Sequence, residues 1–504
     1  MDSSETQNLI EKPASGPAPG ISAEPSKDHE KPSRPLRIIL EPFQWIAMLC
    51  RELNASFVFG IVLVYGLSQG FAGSFFRVVS DYYWKDVQKV QPSAVQMFVG
   101  FYYIPWVMKP VWGVLTDVIP IYGFRRRPYF IVSGILGAIA ALTVSSVTGL
   151  PVVLALLCFI GMTAAVAIAD VTIDACIARN SIEKPHLAPD MQTLCGAVSS
   201  LGALIGFSTS GVFVRDLGAQ GALGIMAMPA VLLVLLGFVI YELRTNHYSE
   251  KQKVWEKVGV AVRGMGRTIR YPAVWKPSLY MFLSLALSIS THEGQFYWYT
   301  NPTAGPAFTQ QFVGIIYAIG AMASMVGVLI YHKFLKNHPF RSLLFYAQLL
   351  YSVSGMLDLI FVLRWNLKLG IPDYVFVILE ECSSRIITRI RWMPMIVLST
   401  KLCPLGIEGT FFALLMCIDS LGLLSSKTGG GILLHVFHVT RIDFRNLWLV
   451  VLIRNLLRFS TLFLIFLVPK GNQSEALLPP DLLKSSSSNQ ENVELAKLNE
   501  REEA

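Results

Sequence analysis

The chain alternates between long apolar stretches and short polar connections. Each apolar stretch is long enough to cross the hydrocarbon core of a bilayer as a helix, which takes about 20 residues. Twelve such stretches can be marked, and together they predict an all-α membrane protein with twelve transmembrane helices. Their centres lie near Val64, Tyr103, Leu136, Ile160, Leu204, Val234, Leu285, Ala321, Tyr351, Ile387, Ile418 and Phe459.

Polar segments divide the twelve stretches into two groups of six. The predicted regions are a disordered arm over 1–50, a first six-helix half over 51–242, a basic linker over 243–275, a second six-helix half over 276–469 and a disordered tail over 470–504. The arm is acidic at Asp2, Glu5 and Glu11, which does not suit a secretory signal or a plastid transit peptide.

Lysine and arginine are unevenly distributed over the connections. Of the 42 in the chain, most lie in the arm, the linker, the tail and the even-numbered connections. The odd-numbered connections hold Arg77, Lys85, Lys89, Arg215, Arg364, Lys368, Arg441 and Arg445. Because positively charged loops tend to stay in the cytoplasm, both termini are predicted to be cytoplasmic. The composition of the arm favours the plasma membrane or the vacuolar membrane over the plastid envelope.

Composition excludes several classes of protein. Hydrophobic residues make up 53% of the chain and charged residues 15%, whereas soluble domains contain about 25% charged residues. Positive cytoplasmic loops explain the net charge of +8, so no nucleic-acid partner is expected. The seven cysteines form no CxxC pair, and neither a metal nor another cofactor is expected. The expected partners are a small-molecule substrate and the lipid bilayer, and a monomer is compatible with this plan.

The two groups of six contain short internal matches. Gly113-Val-Leu-Thr-Asp117 ends the second stretch, and Gly327-Val-Leu-Ile-Tyr331 ends the eighth, 214 residues later. Leu187-Ala-Pro189 and Leu402-Cys-Pro404 precede the fifth and eleventh stretches, with an offset of 215. The agreement of the offsets favours two repeats of six helices, a plan that places a substrate site near the membrane midplane between the halves.

Several motifs carry a resemblance to known transporters. Gly113-Val-Leu-Thr-Asp117 followed by Phe124-Arg-Arg-Arg127 resembles the cytoplasmic signature of the major facilitator superfamily. Tyr103-Ile-Pro-Trp-Val-Met-Lys-Pro-Val-Trp-Gly113, Asp170-Val-Thr-Ile-Asp174 and Arg391-Trp-Met-Pro394 resemble the folate-biopterin transporter family within it. The resemblance covers about residues 45 to 470. It implies a secondary active transporter of folates or related pterins. The second half departs from the signature, with Tyr331 in place of the acidic residue.

Charged side chains inside the predicted helices are candidates for function, because a charge in the bilayer is costly. Asp170 and Asp174 are four residues apart, on one face of the fourth helix. Two close carboxylates resist joint ionisation, so this pair is predicted to bind a proton and couple it to transport. The alternative is that Asp174 simply meets water or Arg179.

The tenth helix carries Glu381, Arg385 and Arg389 at intervals of four, an order that suits an ion pair between Glu381 and Arg385. Trp392 shares this face, and Arg391 points closer to Glu380. Arginine binds carboxylates with two parallel hydrogen bonds, so Arg385, Arg389 and Arg391 are predicted to contact an anionic substrate. Trp392 is predicted to contact the substrate as well. The alternative is a structural ion-pair network.

The repeat offset aligns the two sets of charges. Asp170 corresponds to Arg385 and Asp174 to Arg389 at an offset of 215. These positions predict a central cavity with one acidic wall and one basic wall. Either an anionic substrate occupies the basic wall while protons load the acidic wall, or the two pairs meet directly when the cavity is empty.

Other helices supply further candidates. Glycine at 294 is expected to break the seventh helix, and Glu293 to receive a pterin amine or a proton. Tyr297 either stacks on a flat ring or belongs to an aromatic belt at the interface. Lys427 is a candidate for the substrate carboxylate. Lys109 is expected to reach the cytoplasmic membrane interface, and the alternative is contact with the substrate. Arg454 and Arg458 are expected to pair with another helix.

By resemblance, Asp117 forms a gating latch with Arg125, Arg126 and Arg127. An acid at a helix end beside a short basic loop would lock the inward side. The alternative is that these charges serve only to set the topology.

Three classes of function compete. A secondary transporter coupled to protons is favoured, because the sequence contains no Walker A motif for direct use of ATP. The competing transport hypothesis is a different organic anion. A non-transporting substrate sensor would need a large cytoplasmic domain, for which the linker is too short. No nucleophile or metal motif points to an enzyme.

Overall fold

The computed structural model describes residues 34–242, 268–402 and 408–471, together with Gly259 and Gly266, and these are helical almost throughout. Contacts divide the chain into two compact units, Met1–Glu52 and Leu53–Ala504. The tail after Gly471, residues 1–33 and most of the predicted linker lie outside the described residues, so their predicted disorder and basic linker role stay predictions.

The first helix, α1, spans Arg34–Leu53. The last part of the arm predicted as disordered is therefore helical. Its apolar residues recur at helical spacing, for example at Leu36, Ile39 and Phe43. This period of three and four residues is the pattern of an amphipathic helix, and the strongly polar composition of the preceding residues concealed it.

The remaining helices form the two halves in chain order. The first half contains α2 (Ala55–Val87), α3 (Pro92–Phe101), α4 (Ile104–Val107), α5 (Lys109–Val118), α6 (Arg127–Ser146), α7 (Val152–Glu183), α8 (Ala188–Gly224) and α9 (Ala227–Val239). The second half contains α10 (Pro272–Ala286), α11 (His292–Tyr299), α12 (Gln310–Ile330), α13 (Phe340–Val362), α14 (Trp365–Lys368), α15 (Asp373–Lys401), α16 (Glu408–Val436) and α17 (Leu447–Ser460).

Within the described residues, eight helical segments are long and apolar enough to cross a membrane. One of them, Pro189–Val239, covers two of the spans predicted from sequence and is interrupted at Gly218, where φ is 71°. Such a backbone conformation is open to glycine at little cost. The all-α prediction is confirmed, whereas the count of twelve spans stays a prediction.

Three predicted spans have a local reason for missing this criterion. The second is divided into α3, α4 and α5, near Pro105 and Pro110, which lack the amide donor of a regular helix. The seventh is divided into α10 and α11. The tenth is the continuous helix α15, whose charged residues lower its hydropathy.

The break between α10 and α11 precedes Gly294, so the expectation that this glycine breaks the helix is wrong. Gly294 lies inside α11, where an added Cβ would lie 2.5 Å from the Leu434 side chain. Backbone groups that lose their helical hydrogen bonds at the break between α10 and α11 bind side chains of other helices, as expected for irregular backbone at membrane depth. The Ser288 carbonyl accepts a hydrogen bond from the Ser426 hydroxyl at 2.7 Å.

The two halves use the same arginine contact. Arg127, at the start of α6, donates from Nε to the carbonyl of Ile240 at 2.7 Å, at the end of the sixth predicted span. Arg341, 214 residues later in the first turn of α13, donates from Nε to the carbonyl of Val468 at 2.8 Å. The two halves therefore contain equivalent contacts, separated by the same offset as the sequence matches. This agreement supports an internal repeat.

The halves pack together at the end of the bundle that contains Gln91, which the charge pattern predicts to face away from the cytoplasm. There the rings of Tyr82 and Phe296 lie 5.0 Å apart. Between α8 and α12, a Cβ added to Gly314 would lie 2.8 Å from the carbonyl oxygen of Phe207. The largest buried apolar cluster of the described residues includes these rings, and it joins both halves at this end.

Candidate functional site

A central cavity with two adjacent lobes lies beside this closed end. The first lobe has a volume of about 460 Å³ and is lined mainly by helices of the second half. The second lobe, of about 540 Å³, lies between the halves. Both volumes are in the range of small-molecule sites. The residues that line both lobes are Arg77, Tyr103, His292, Trp392, Leu423 and Lys427.

The first lobe has an excess of positive charge. Its cationic lining residues are Arg77, Arg385, Arg391, Lys427, Arg454 and Arg458, and its acidic ones are Asp358, Glu380 and Glu381. Arg454 pairs with Asp358 at 2.5 Å, and Arg385 pairs with Glu381 at 2.6 Å. The remaining cations leave the lobe attractive to an anion, because charge in a low-dielectric cleft concentrates its field.

Two tyrosines organise four of these arginines. The ring of Tyr317, on α12, lies 5.4 Å from the Arg77 guanidinium and 5.8 Å from that of Arg385. The ring of Tyr351, on α13, lies closer to its two arginines, whose contacts are described below. Cation–π contacts of this kind hold a guanidinium in place without neutralising its charge.

The second lobe combines aromatic and acidic side chains. Trp106 and Trp392 line it, as do the carboxylates of Asp81, Glu293 and Asp419. Glu293 is fully buried, and neither of its carboxylate oxygens has a hydrogen-bond partner among the described residues. An unpaired buried carboxylate is costly when charged.

Asp81, His292 and Glu293 form a compact group at the closed end of the second lobe. His292 Nε2 lies 3.0 Å from Asp81 Oδ2. One potential ligand atom from each of the three residues lies within 4.8 Å of the others, close enough to share a cation or a proton. Arg77 and Lys427 line the same lobe, and their positive charges oppose a metal ion.

The acids of the fourth predicted span are satisfied within the first half. Asp170 pairs with Lys109 of α5 and accepts a hydrogen bond from Gln69, and Asp174 accepts one from Tyr65 of α2. Arg179 pairs with Glu183 instead of Asp174. Lys109 therefore has a partner inside the bundle, and the expectation that it reaches the membrane interface is wrong.

The residues predicted on one face of the tenth span contact different parts of the protein. The expected pair of Glu381 and Arg385 is present, and Trp392 lines both lobes. Arg389 donates to the Ser324 hydroxyl at 3.0 Å, on α12. In this conformation Asp170 thus pairs with Lys109 and Arg385 with Glu381, so the acidic and basic pairs of the repeat do not pair with each other.

The candidates on α11 and α16 differ in position. Lys427 lines both lobes and donates to the Ser290 hydroxyl at 3.1 Å, at the break of the seventh span. Tyr297 is buried in the closed end, where its hydroxyl donates to the carbonyl of Val90 at 3.0 Å. Its ring therefore packs where the halves meet.

The predicted latch arginines contact the end of the sixth span. The backbone amides of Arg125, Arg126 and Arg127 all donate to the carboxylate of Glu242, at 2.7 to 3.1 Å. A carboxylate beside the amides that begin α6 suits the positive end of the helix dipole. The side chain of Asp117 lies outside the described part of the chain, so its role in a latch stays a prediction.

Comparison with known proteins decides the family. The profile of the BT1 family matches residues 69–479. This chain belongs to the BT1 family. The sequence is 62% identical over 453 residues to a protein of Arabidopsis thaliana named probable folate-biopterin transporter 6, and covers 90% of each chain. It is 30% identical over 402 residues to the folate-biopterin transporter of Synechocystis, and covers 79% of this chain and 78% of that protein.

Solved structures with the same fold are major facilitator transporters. The nucleoside transporter NupG, in a D323A mutant, aligns with a TM-score of 0.63 at 13% identity, over 81% of this chain and 99% of that one. The inward-open xylose transporter XylE of E. coli aligns with a TM-score of 0.56 at 14% identity, over 84% and 98%. This BT1 family member is therefore a multi-span integral membrane transporter with a major facilitator-like fold, and not an enzyme.

Sequence reasoning missed several cavity residues of this BT1 protein. Arg77 and Asp81 lie within α2, because that helix continues to Val87 beyond the apolar stretch. Their spacing of four residues was the available signal, since such a pair shares one helix face. Tyr351 and Asp358, both on α13, also line the first lobe, and only contacts between helices reveal them.

Proposed function

We propose that this protein is a secondary active transporter of folates or related pterins, driven by protons, and that the two-lobed cavity binds the substrate. The observation that carries the proposal is the placement of a cationic lobe beside an aromatic and acidic lobe. The names of the relatives in Arabidopsis and Synechocystis support the class of substrate. A different organic anion and a non-transporting sensor are the competing functions.

The chemistry of a folate fits the two lobes. Its flat pterin ring carries N–H donors, and its glutamate tail carries two carboxylates. In the second lobe, Trp106 and Trp392 can stack on the ring while Glu293 accepts its amine. In the first lobe, the field of the cationic side chains, which include Arg385, Arg391, Lys427 and Arg458, can attract the tail. Arg389 and Tyr297 belong to the proposed site as positioning residues. Arg389 holds α15 to α12 through the Ser324 hydroxyl, and Tyr297 holds the closed end through the carbonyl of Val90.

Two groups of carboxylates are candidates for the coupling proton. Asp170 and Asp174 already accept hydrogen bonds from Gln69 and Tyr65, and Lys109 compensates the charge. Glu293 has no hydrogen-bond partner among the described residues. A carboxylate oxygen of Glu293 lies within 4.8 Å of one of Asp81, and two close carboxylates resist joint ionisation. We therefore assign the coupling proton to Glu293, with Asp170 and Asp174 as the second candidates.

Gating belongs to the same proposal. Arg125, Arg126 and Arg127, together with Asp117, would close the predicted cytoplasmic end, with Glu242 fixing the loop backbone. Both termini are proposed to be cytoplasmic, in the plasma membrane or the vacuolar membrane, because of the charge pattern and the acidic arm.

Uptake by proteoliposomes tests this function. The purified protein should accumulate labelled folate faster when the outside is more acidic than the lumen. Glu293→Gln should still take up folate down a folate gradient. The factor by which an acidic outside speeds uptake should fall about tenfold or more, since glutamine cannot release a proton. Glu183→Gln, on an exposed helix end, is the control.

Three results separate the alternatives. Loss of the acceleration in Asp174→Asn but not in Glu293→Gln would move the coupling proton to the fourth span. Uptake without any dependence on the pH gradient would contradict proton coupling. Folded protein that transports neither folate nor pterin would contradict the substrate class.

A further inference from the structure

Three side chains from three helices of the second half meet at the first lobe. They are Tyr351 on α13, Arg391 on α15 and Arg458 on α17, and all three line the cavity. The guanidinium carbon of Arg391 lies 4.6 Å from the centre of the Tyr351 ring, and that of Arg458 lies 4.4 Å from it. We call these three residues the Tyr351 cluster. Cation–π contact with one ring holds both guanidinium groups in place and uses none of their hydrogen-bond donors.

The hydrogen-bonding capacity of the Tyr351 cluster is largely unused. Arg391 donates from Nη2 to the carbonyl of Ser284 at 2.8 Å and to the Ser288 hydroxyl at 3.4 Å, but its buried Nε has no partner among the described residues. The buried Nε of Arg458 also has none. Each guanidinium has five N–H donors, so each has more donors than the hydrogen bonds that it makes to the described residues.

Neighbouring arginines of the same lobe differ in this respect. Arg385 and Arg454 each have a carboxylate partner, in Glu381 and Asp358. Neither Arg391 nor Arg458 has an acidic side chain within ion-pairing distance among the described residues. Two adjacent buried cations that form no close ion pair of their own repel each other, and this repulsion opposes folding. Binding of an anion between the two guanidinium groups would relieve this repulsion.

We propose that the Tyr351 cluster is the carboxylate-binding subsite of the cavity, with Arg391 and Arg458 holding the dianionic tail of the substrate. This inference rests on the proposed function for the identity of the cargo. Carboxylates suit the site, because the planar edge of a guanidinium binds two carboxylate oxygens in parallel. Two further cations line both lobes. Arg77 lies over the Tyr317 ring, and Lys427 donates to the Ser290 hydroxyl beside the acidic group of the second lobe.

The test compares ligands with and without the tail. Binding of folic acid, biopterin and p-aminobenzoylglutamate to the purified full-length protein is measured by calorimetry. Folic acid has both ring and tail, biopterin has no carboxylate, and p-aminobenzoylglutamate has no pterin. Arg458→Gln and Arg391→Gln should each weaken folic acid and p-aminobenzoylglutamate by about tenfold or more, the worth of a charge-assisted hydrogen bond. The affinity for biopterin should change less than about threefold.

Two further variants sharpen the result. Arg458→Lys keeps the charge but loses the planar edge, so it should recover only part of the affinity for folic acid. Arg445→Gln removes an exposed arginine that pairs with Asp443, and it should change no affinity. Thermal unfolding of each variant identifies any that fails to fold.

Each outcome either supports or overturns the proposal. Equal losses for folic acid and biopterin in folded variants, or no loss of folic acid in both variants, would overturn the subsite. The wild-type protein could bind p-aminobenzoylglutamate but neither folic acid nor biopterin, with the variants binding p-aminobenzoylglutamate more weakly. In that case the subsite stands and the pterin assignment falls. If the wild-type protein binds none of the three ligands, both proposals fall.

Discussion

At the scale of single residues, the buried arginines of the cavity fall into two kinds. Arg454 is 3% exposed and donates hydrogen bonds to Asp358, Thr291 and Gln295. Arg458, one helical turn later, stacks on Tyr351 without a carboxylate partner among the described residues. Removal of a partnered buried charge strands its counter-ion, whereas removal of an unpartnered one does not.

This difference predicts opposite effects on stability. Arg454→Gln should lower the free energy of unfolding by about 3 kcal/mol, because Asp358 loses its counter-ion. Arg458→Gln should leave stability unchanged or raise it, since it removes repulsion. Thermal or denaturant unfolding in detergent measures both. Similar losses in the two variants would mean that Arg458 has a structural role.

A double variant controls for the loss of the counter-ion. Arg454→Gln combined with Asp358→Asn should recover part of the lost stability, because neither remaining group is charged. If stability does not recover, Arg454 stabilises the protein through its hydrogen bonds to Thr291 and Gln295 and not through its ion pair.

At the scale of helices, glycines set how closely the halves approach. A Cβ added to Gly211 of α8 would collide with the carbonyl oxygen of Gln310 at the start of α12. Gly196 of the same helix has open space around it. The helices can therefore close the Gln91 end of the bundle only because position 211 has no side chain.

Gly211→Ala should therefore impair closure of this end. We expect the rate of folate exchange to fall about tenfold or more, since alternating access requires each end to close in turn. Gly196→Ala should have the wild-type rate. Exchange of labelled folate across proteoliposome membranes measures both variants. A wild-type rate in Gly211→Ala would show that α8 and α12 can separate without loss of function.

Helix pattern was predictable where it depended on local sequence. Apolar length predicted most spans, and the spacing of Glu381 and Arg385 predicted their pair. The offset of 214, from which the sequence predicted two repeats, also separates the matching contacts of Arg127 and Arg341. The break of the seventh span was misplaced at Gly294, because the partners that stabilise it come from α15 and α16, far away in sequence.

Site residues were predictable only in part. Lys427, Arg391 and Trp392 were found as charges or aromatic groups at membrane depth, and they line the cavity. The partner of Asp170 was not predictable, because Lys109 lies on a different helix that packs against α7. Arg77 was placed in a connection, since the apolar stretch ends before the helix does.

At the scale of the whole molecule, the two halves enclose one cavity whose lobes differ in chemistry. The first is cationic, and the second is aromatic with buried carboxylates. A ligand that has a flat ring at one end and an anionic tail at the other would satisfy both lobes at once. Arg77, Lys427 and Trp392 line both lobes, so a single bound ligand would contact the two halves together.

The structure of the protein with folate bound is the most direct test of this account. Electron cryomicroscopy should show the pterin ring in the second lobe, against Trp392 and within reach of Glu293. The glutamate tail should lie in the first lobe, at Arg391 and Arg458. Folate bound in the reverse direction, or outside the cavity, would contradict the account.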